Sequence, residues 1–319
     1  MDDPAAPRFV DLLGRQAGVV GRRQLLGCGV TDHDIRRLQR RRLLTTVHPG
    51  VYVDHTGPLT WLQRAWAAVL ACWPAALRGA SARRAADGPG RSEADDGLPI
   101  EVAVGRERRV TAPAGVRLRR SSHLHDTVLW NTGPPRQRPE YAALELAASA
   151  RRDVDAVAHL SDVLRARRTT PRRLATALAS RPRHRRRHFL EQVITDLSHG
   201  TCSTLEHAYL VRVEQPHGLP VARRQFRESI KGTLYRDVCY VEYAAIVELD
   251  GRLHHTSTHD RDHDLERDLD AFATDRSTAR LGWGQVFDRP CATAARIGAG
   301  LAARGWPGAV RRCPDCPPP

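Results

Sequence analysis

The spacing of apolar and polar residues changes rhythm several times along the chain. From about Phe9 apolar positions recur at helical spacing and stop at Gly18, and a second short run, "RRQLLGCG", breaks at Gly27 to Gly29. Thr31 is a good N-cap for "DHDIRRLQRRRLL", with Asp32 and Asp34 in the first turn, where carboxylates favour the helix dipole. Ile35 and Leu38 give that helix one apolar face, while Arg36, Arg37, Arg40 and Arg41 occupy the others. "LLTTVHPGVYVDH" then alternates as two short strands turning at His48–Pro49–Gly50. Three helices and a hairpin predict a winged helix-turn-helix over residues 1–57. An arginine-rich surface helix in a small bundle is the competing reading.

Beyond a short linker, "LTWLQRAWAAVLACW" predicts a helix, "ALRGASARRAADG" and "GPGRSEADDG" break the order, and "LPIEVAVG" and "GVRLRRSS" alternate as strands should. A small α+β region is expected over 58–140. Residues 141–200 read as an arginine-rich helical connector, with Thr170 before Pro171 as a helix start. Over 201–312, Ser203 or Thr204 caps a helix carrying Glu206, and Gly218–Leu219–Pro220 breaks the pattern. "VARRQFRESIKGTLYRDVCYVEYAAIVELDG" then predicts three strands with turns at Lys231–Gly232 and Glu242–Tyr243. The expected fold class is multidomain α/β (α+β), ending in a mixed sheet flanked by helices.

Charge changes this picture by its distribution. The chain of 319 residues carries a formal net charge of +14, which points to a polyanionic partner, most often nucleic acid. Lys231 is the only lysine, however, an arginine bias that a GC-rich genome also produces. Residues 151–188 hold twelve arginines against Asp153, Asp155 and Asp162, whereas residues 201–290 hold fifteen acids against twelve bases. The run "RPRHRRRHF" either tracks phosphates or forms a solvated face. No stretch of about 18 apolar residues suggests a membrane span, and "MDDPAAPRF" does not read as a secretory signal. A cytoplasmic protein without membrane association is expected. Seven scattered cysteines form no disulfide framework. Cys313 and Cys316 make a CxxC in "CPDCPPP", but no second CxxC or paired histidine follows, so residues 313–319 read as a flexible tail.

The stretch "AAIVELDGRLHH" concentrates the candidate chemistry. Glu248 and Asp250, two apart on a strand, face one side of the sheet, and Asp237 on the preceding strand can approach Glu248 if the two pair antiparallel. Carboxylates gathered this way repel unless a hard cation neutralises them, and Mg²⁺ takes such oxygen ligands together with waters and phosphates. A cation there activates water and polarises a phosphodiester, with His254 or His255 placed to move a proton. The acids can instead sit at the strand's exposed end.

Taken in order, "STLEHAYL…GLP…RRQ…YRDVCY…IVELDGRLHH…RDHDLERDLDA…ARLGWGQV" resembles the very-short-patch-repair-like endonuclease domains of the PD-(D/E)XK superfamily, over about residues 201–305. "GVVGRRQLLGCGVTDHDIRRL" and "HPGVYV" resemble the winged helix of AbiEi-type antitoxins of type IV toxin–antitoxin systems. The first resemblance implies that Asp237 and Glu248 bind Mg²⁺, for which Mn²⁺ can substitute, and that Glu206 reaches a metal-bound water. It implies a catalytic histidine, His254 before His255, and a supporting Gln225. Asp250 stands where the superfamily's common pattern has lysine. Arg261 and Arg267 are expected to bind phosphate or to form helix salt bridges. DNA is the implied partner of both domains, with Arg36, Arg37, Arg40 and Arg41 at its groove, in repair or phage defence. An antitoxin-like regulator with an inert nuclease fold and a toxin partner is the alternative. Oligomeric state stays open.

Overall fold

The computed structural model describes residues 5–88, 97–199, 203–229, 233–250 and 278–316. The chain gathers into two compact units, residues 1–146 and 147–319.

The first unit opens with helix α1 (Ala5–Arg15), strand β1 (Val19–Gly21), helices α2 (Arg22–Gly27) and α3 (Asp32–Arg40), and strands β2 (Thr45–His48) and β3 (Val51–Val53). The strands form an antiparallel sheet in the order β1-β3-β2. The three helices and the hairpin at Pro49–Gly50 follow the sequence expectation. Strand β1 does not, because three residues between a helix end and a helix start show no periodicity of their own.

Thr31 caps α3 as expected, its hydroxyl accepting from the Asp34 N–H at 3.2 Å while an Asp34 oxygen accepts from the Thr31 N–H at 3.1 Å. Arg22 grips Asp32 through two guanidinium bonds, fixing α2 against the start of α3. Ile35 is buried with Val20, Leu25, Leu44 and Tyr52. The helix ends at Arg40, before the predicted stretch does, and Arg42 takes a left-handed φ of 57°. A continued helix would carry Arg42, seven residues beyond Ile35, onto the buried face; the turn sends Leu44 there instead.

Helix α4 (Trp61–Ala71) is apolar on opposite sides and buries both. Trp66 and Ala67 pack on Val19, Val51 and Val53 of the small sheet. Ala65, Ala68 and Val69 pack on Leu77, Val102 and Val104 of a five-stranded one. That second sheet comprises β4 (Ala75–Leu77), β5 (Ile100–Gly105), β6 (Val116–Ser121), β7 (Val128–Leu129) and β8 (Arg136–Gln137), in the order β6-β5-β4-β8-β7. Strands β5 and β6 match the expectation. The stretch read as broken order instead supplies the central strand β4 and helix α5 (Gly79–Asp87), both rich in alanine, whose small side chains blur any apolar periodicity. A one-turn helix α6 (Leu124–Thr127) precedes β7.

Helix α7 (Pro139–Ser149) runs across the division between the units. The second unit continues with α8 (Asp153–Arg165), α9 (Pro171–Ala179) and α10 (Arg187–His199). Thr170 caps α9 through the Arg173 N–H, with Pro171 in the first turn. Helix α11 (Ser203–Tyr209) passes into a π turn (Leu210–Glu214). Strands β9 (Arg223–Ser229), β10 (Thr233–Tyr240), β11 (Ala245–Leu249) and β12 (Thr278–Leu281) then build a mixed sheet in the order β12-β11-β10-β9. Strands β9, β10 and β11 pair antiparallel, and β12 joins parallel to β11. A second π turn (Gly284–Asp288) and helix α12 (Pro290–Ala302) follow. Phe189 of α10 meets Trp283 and Phe287 edge-on or tilted, at ring separations of 6.3 and 5.6 Å. The protein is thus mixed α/β, as expected. Among the described residues no helix is long and apolar enough to cross a membrane.

Part of the dense arginine run has an internal role. Arg186 donates to the carbonyl oxygens of Ala147 and Ala150, at 3.2 and 2.8 Å, and of Arg151, and bonds Asp153 at 2.9 Å. Arg187 donates to Leu178 O and Arg181 O at the end of α9. These guanidinium groups bridge carbonyl oxygens at and just beyond the ends of α7 and α9. Arg186→Ala is expected to lower the stability of the chain by about 2 kcal/mol, because it strips several part-buried acceptors at once. Chemical denaturation read by circular dichroism checks this.

Candidate active site

The mixed sheet sorts its side chains onto two faces. Val238 and Tyr240 on β10, with Ala245, Val247 and Leu249 on β11, point to the buried side. The opposite face carries Asp237 on β10 and Ile246 and Glu248 on β11, all half-buried. The pairs Val238–Val247 and Cys239–Ile246 carry the register on by one step, which sets Asp237 opposite Glu248. A 3₁₀ turn over Val241–Tyr243, closed by Ala244 at a φ of 48°, holds this antiparallel alignment. Asp250 lies one residue beyond the end of β11, its N–H donating to Leu281 O at 2.8 Å.

The acids are held rather than merely near. The Leu249 N–H donates to Asp237 Oδ2 at 2.7 Å. Glu248 pairs in register with Arg280 of β12 and accepts from its Nε at 3.2 Å. Burial pushes the Asp237 carboxyl above its usual range, the Leu249 N–H opposes the shift, and the charges of Glu248 and Asp250 add to it. Asp237 therefore feels both other acids.

Gln225 lies on β9 between the pairs Arg236–Phe226 and Val238–Arg224, at the register position facing Asp237. Glu206 is half-buried on α11. That helix sends Tyr209 to the buried face of the sheet, where its hydroxyl lies 2.9 Å from that of Tyr240. The predicted His254, His255, Arg261 and Arg267 lie outside the described residues. In the first unit, Arg36, Arg37, Arg40 and Arg41 are all exposed along and just beyond α3. Arg37 pairs with Asp34 at 3.0 Å, and Arg36 bonds the Asp32 carbonyl at 3.3 Å.

Two constellations escaped the sequence reading. On the buried face, Glu214 Oε2 accepts from Tyr240 Oη at 3.2 Å and pairs with Arg224 at 2.8 Å. Burial pushes the Glu214 carboxyl up against the opposing pull of Arg224. Nothing in "LVRVEQPHG" distinguishes that glutamate from a surface one until the π turn rotates it inward. The second lies at the chain's end, where the sequence predicts a flexible tail. Cys313 and Cys316 instead pack with His217 and Cys291, with all four ligand atoms within 4.8 Å of one another. Among the described residues this is the one group of three or more metal-capable side chains so closely gathered.

No family model matches the chain, and no curated protein matches it. Among solved structures, the crystal structure of the RV2827C protein from Mycobacterium tuberculosis is similar at 25% identity and a TM-score of 0.34, over 56% of this chain and 73% of that one. A superposition that slight carries no functional argument.

The raised Asp237 carboxyl has a consequence for stability. Below its ordinary value of 3.8 it is neutral folded and unfolded alike, and ionisation then weighs against the fold as pH climbs through the raised value. Asp237→Asn, which keeps an oxygen for the Leu249 N–H, is therefore expected to melt above wild type at neutral pH without added divalent cation. The two melting curves should converge in acid. Thermal melts across pH check this, and a variant that melts lower at neutral pH contradicts it.

Proposed function

We propose that the protein hydrolyses phosphodiester bonds in DNA with the help of a hard divalent cation held by Asp237 and Glu248. The observation that carries this reading is the register of β10 against β11, which sets those two acids face to face beside Asp250. The donor set fits Mg²⁺ or Mn²⁺: oxygen atoms only, two carboxylates, with room in the coordination shell for water and phosphate. When bound, such a cation supplies a Lewis acid for a phosphate oxygen and a water of lowered pKa.

The residues around the pair then have definable tasks. The Leu249 N–H fixes the orientation of Asp237, and Arg280 steadies Glu248. Asp250 adds negative charge that favours cation binding where the related nucleases have lysine. The resemblance assigns Glu206 and Gln225 to supporting positions, proton transfer to His254 or His255, and phosphate contacts to Arg261 and Arg267. The four exposed arginines of α3 suit phosphates or guanine edges in the major groove, so the winged helix delivers DNA to a slightly acidic catalytic domain.

A second reading draws on the engagement of Glu248 by Arg280 and on Asp250 in place of lysine. In it the sheet is catalytically inert, and the protein is an antitoxin-like DNA-binding regulator with a toxin partner. Cleavage assays with Mg²⁺ or Mn²⁺ on supercoiled, nicked, mismatched and branched DNA separate the two. The nuclease reading expects Glu248→Ala to lower cleavage by at least about a hundredfold, the scale of losing one electrostatic stabiliser of the transition state. Cleavage that Glu248→Ala leaves intact defeats it, and salt-dependent binding with no cleavage by wild type favours the regulator. Under both readings, Arg36→Ala with Arg40→Ala should lower the slope of log affinity against log salt by about 2.

A further inference from the structure

We infer that His217, Cys291, Cys313 and Cys316 form a closed, tetrahedral zinc site that pins the end of the chain to the second unit. The four ligand atoms have the spacing of a tetrahedral metal centre. A zinc ion bound to sulfur at about 2.3 Å sets its ligands about 3.8 Å apart along the edges of the tetrahedron. The corresponding separations are 3.6 Å for Cys291 Sγ to Cys313 Sγ, 3.7 Å for Cys313 Sγ to Cys316 Sγ, and 3.8 Å for Cys316 Sγ to His217 Nε2. A disulfide brings its sulfurs to about 2.0 Å, and all three cysteines are free.

His217 is prepared for the role. It is 1% exposed, and its Nδ1 lies 2.9 Å from the Val213 carbonyl, which can only accept. The proton therefore sits on Nδ1, and the Nε2 lone pair points at Cys316. This is the tautomer, set by a backbone carbonyl, that metal-binding histidines adopt.

The surrounding chain is shaped to bring the tail in. The Arg311 N–H donates to the His217 carbonyl at 2.8 Å, aligning the approach to Cys313. Gly298 on α12 leaves space that Val310 fills; a Cβ there would meet Val310 Cγ2. The Cys316 N–H closes a turn on the Cys313 carbonyl at 3.1 Å, so the two thiols of the CxxC converge. Four protein ligands leave no open position for water, which makes the site structural rather than catalytic. It shares no residue with the facing carboxylates and does not depend on their proposed activity. Soft thiolates select zinc over the hard cation proposed for Asp237 and Glu248.

The test uses the full chain, purified reduced and without chelator, then dialysed against zinc. Elemental analysis is expected to find about one zinc per chain, released when a mercurial blocks the thiols. Replacement by Co²⁺ is expected to give thiolate-to-cobalt charge transfer with the strong visible bands of a tetrahedral ion. Cys313→Ser is expected to lose the metal and lower the melting temperature. Should that variant not fold, the cobalt spectrum and mercurial release on wild type decide alone. A folded wild-type chain that retains no zinc overturns the inference. So does iron in place of zinc, a cobalt spectrum without thiolate charge transfer, or a Cys291–Cys313 disulfide under reducing conditions.

Discussion

Two carboxylates placed opposite each other on adjacent strands repel, and the second unit is arranged around that repulsion. Asp237 and Glu248 occupy one register position of the β10–β11 ladder, and Asp250 follows within electrostatic reach. The strands hold them there because their other face buries Val238, Tyr240, Ala245, Val247 and Leu249. A slip of one residue would turn that apolar set outward, so the packing of one face dictates the charge crowding on the other. Within the described chain a backbone N–H bonds Asp237 and Arg280 bonds Glu248. Like charges gathered at one register position are what motivates the divalent cation proposed for this face.

The buried face shows a contrasting solution to the same cost. Glu214 also loses solvent, yet there Arg224 pairs with it and Tyr240 bonds it, with the Tyr209 hydroxyl against that of Tyr240. Its partners belong to β9, β10 and α11, so the network ties the helix to the sheet. A carboxylate satisfied by protein groups is a structural element, while one facing other carboxylates is a candidate for chemistry. Both lie within one small sheet, and partners rather than burial alone separate their roles.

Local signals in the sequence were readable where a residue type has one strong structural use. Thr31 and Thr170 cap helices, Pro171 opens one, and the alternation around Asp237 and Glu248 places both on neighbouring antiparallel strands. Strands β1 and β4 were not readable, since three residues carry no period and the alanines of β4 fit a helix equally well. The arginine run could not be divided by composition: Arg186 and Arg187 turn inward to helix ends that only the tertiary fold brings near. The Cys/His cluster was hidden by distance. Its closest outside partner for Cys313 lies 22 residues upstream, and His217 lies 99 residues before Cys316. Spacing rules detect ligands that share a loop, not ligands gathered from the turn after a π helix, a helix start and the last described residues.

The central claim is that the facing acids bind a hard cation, and Mn²⁺ binding followed by electron paramagnetic resonance tests it most directly. The zinc-loaded full chain would be titrated with a short DNA duplex present to supply phosphate oxygens, wild type beside Asp237→Asn and Glu248→Gln. The account predicts a bound Mn²⁺ signal in wild type that each substitution removes. Equal binding by all three proteins, or none by a folded wild type, would contradict it.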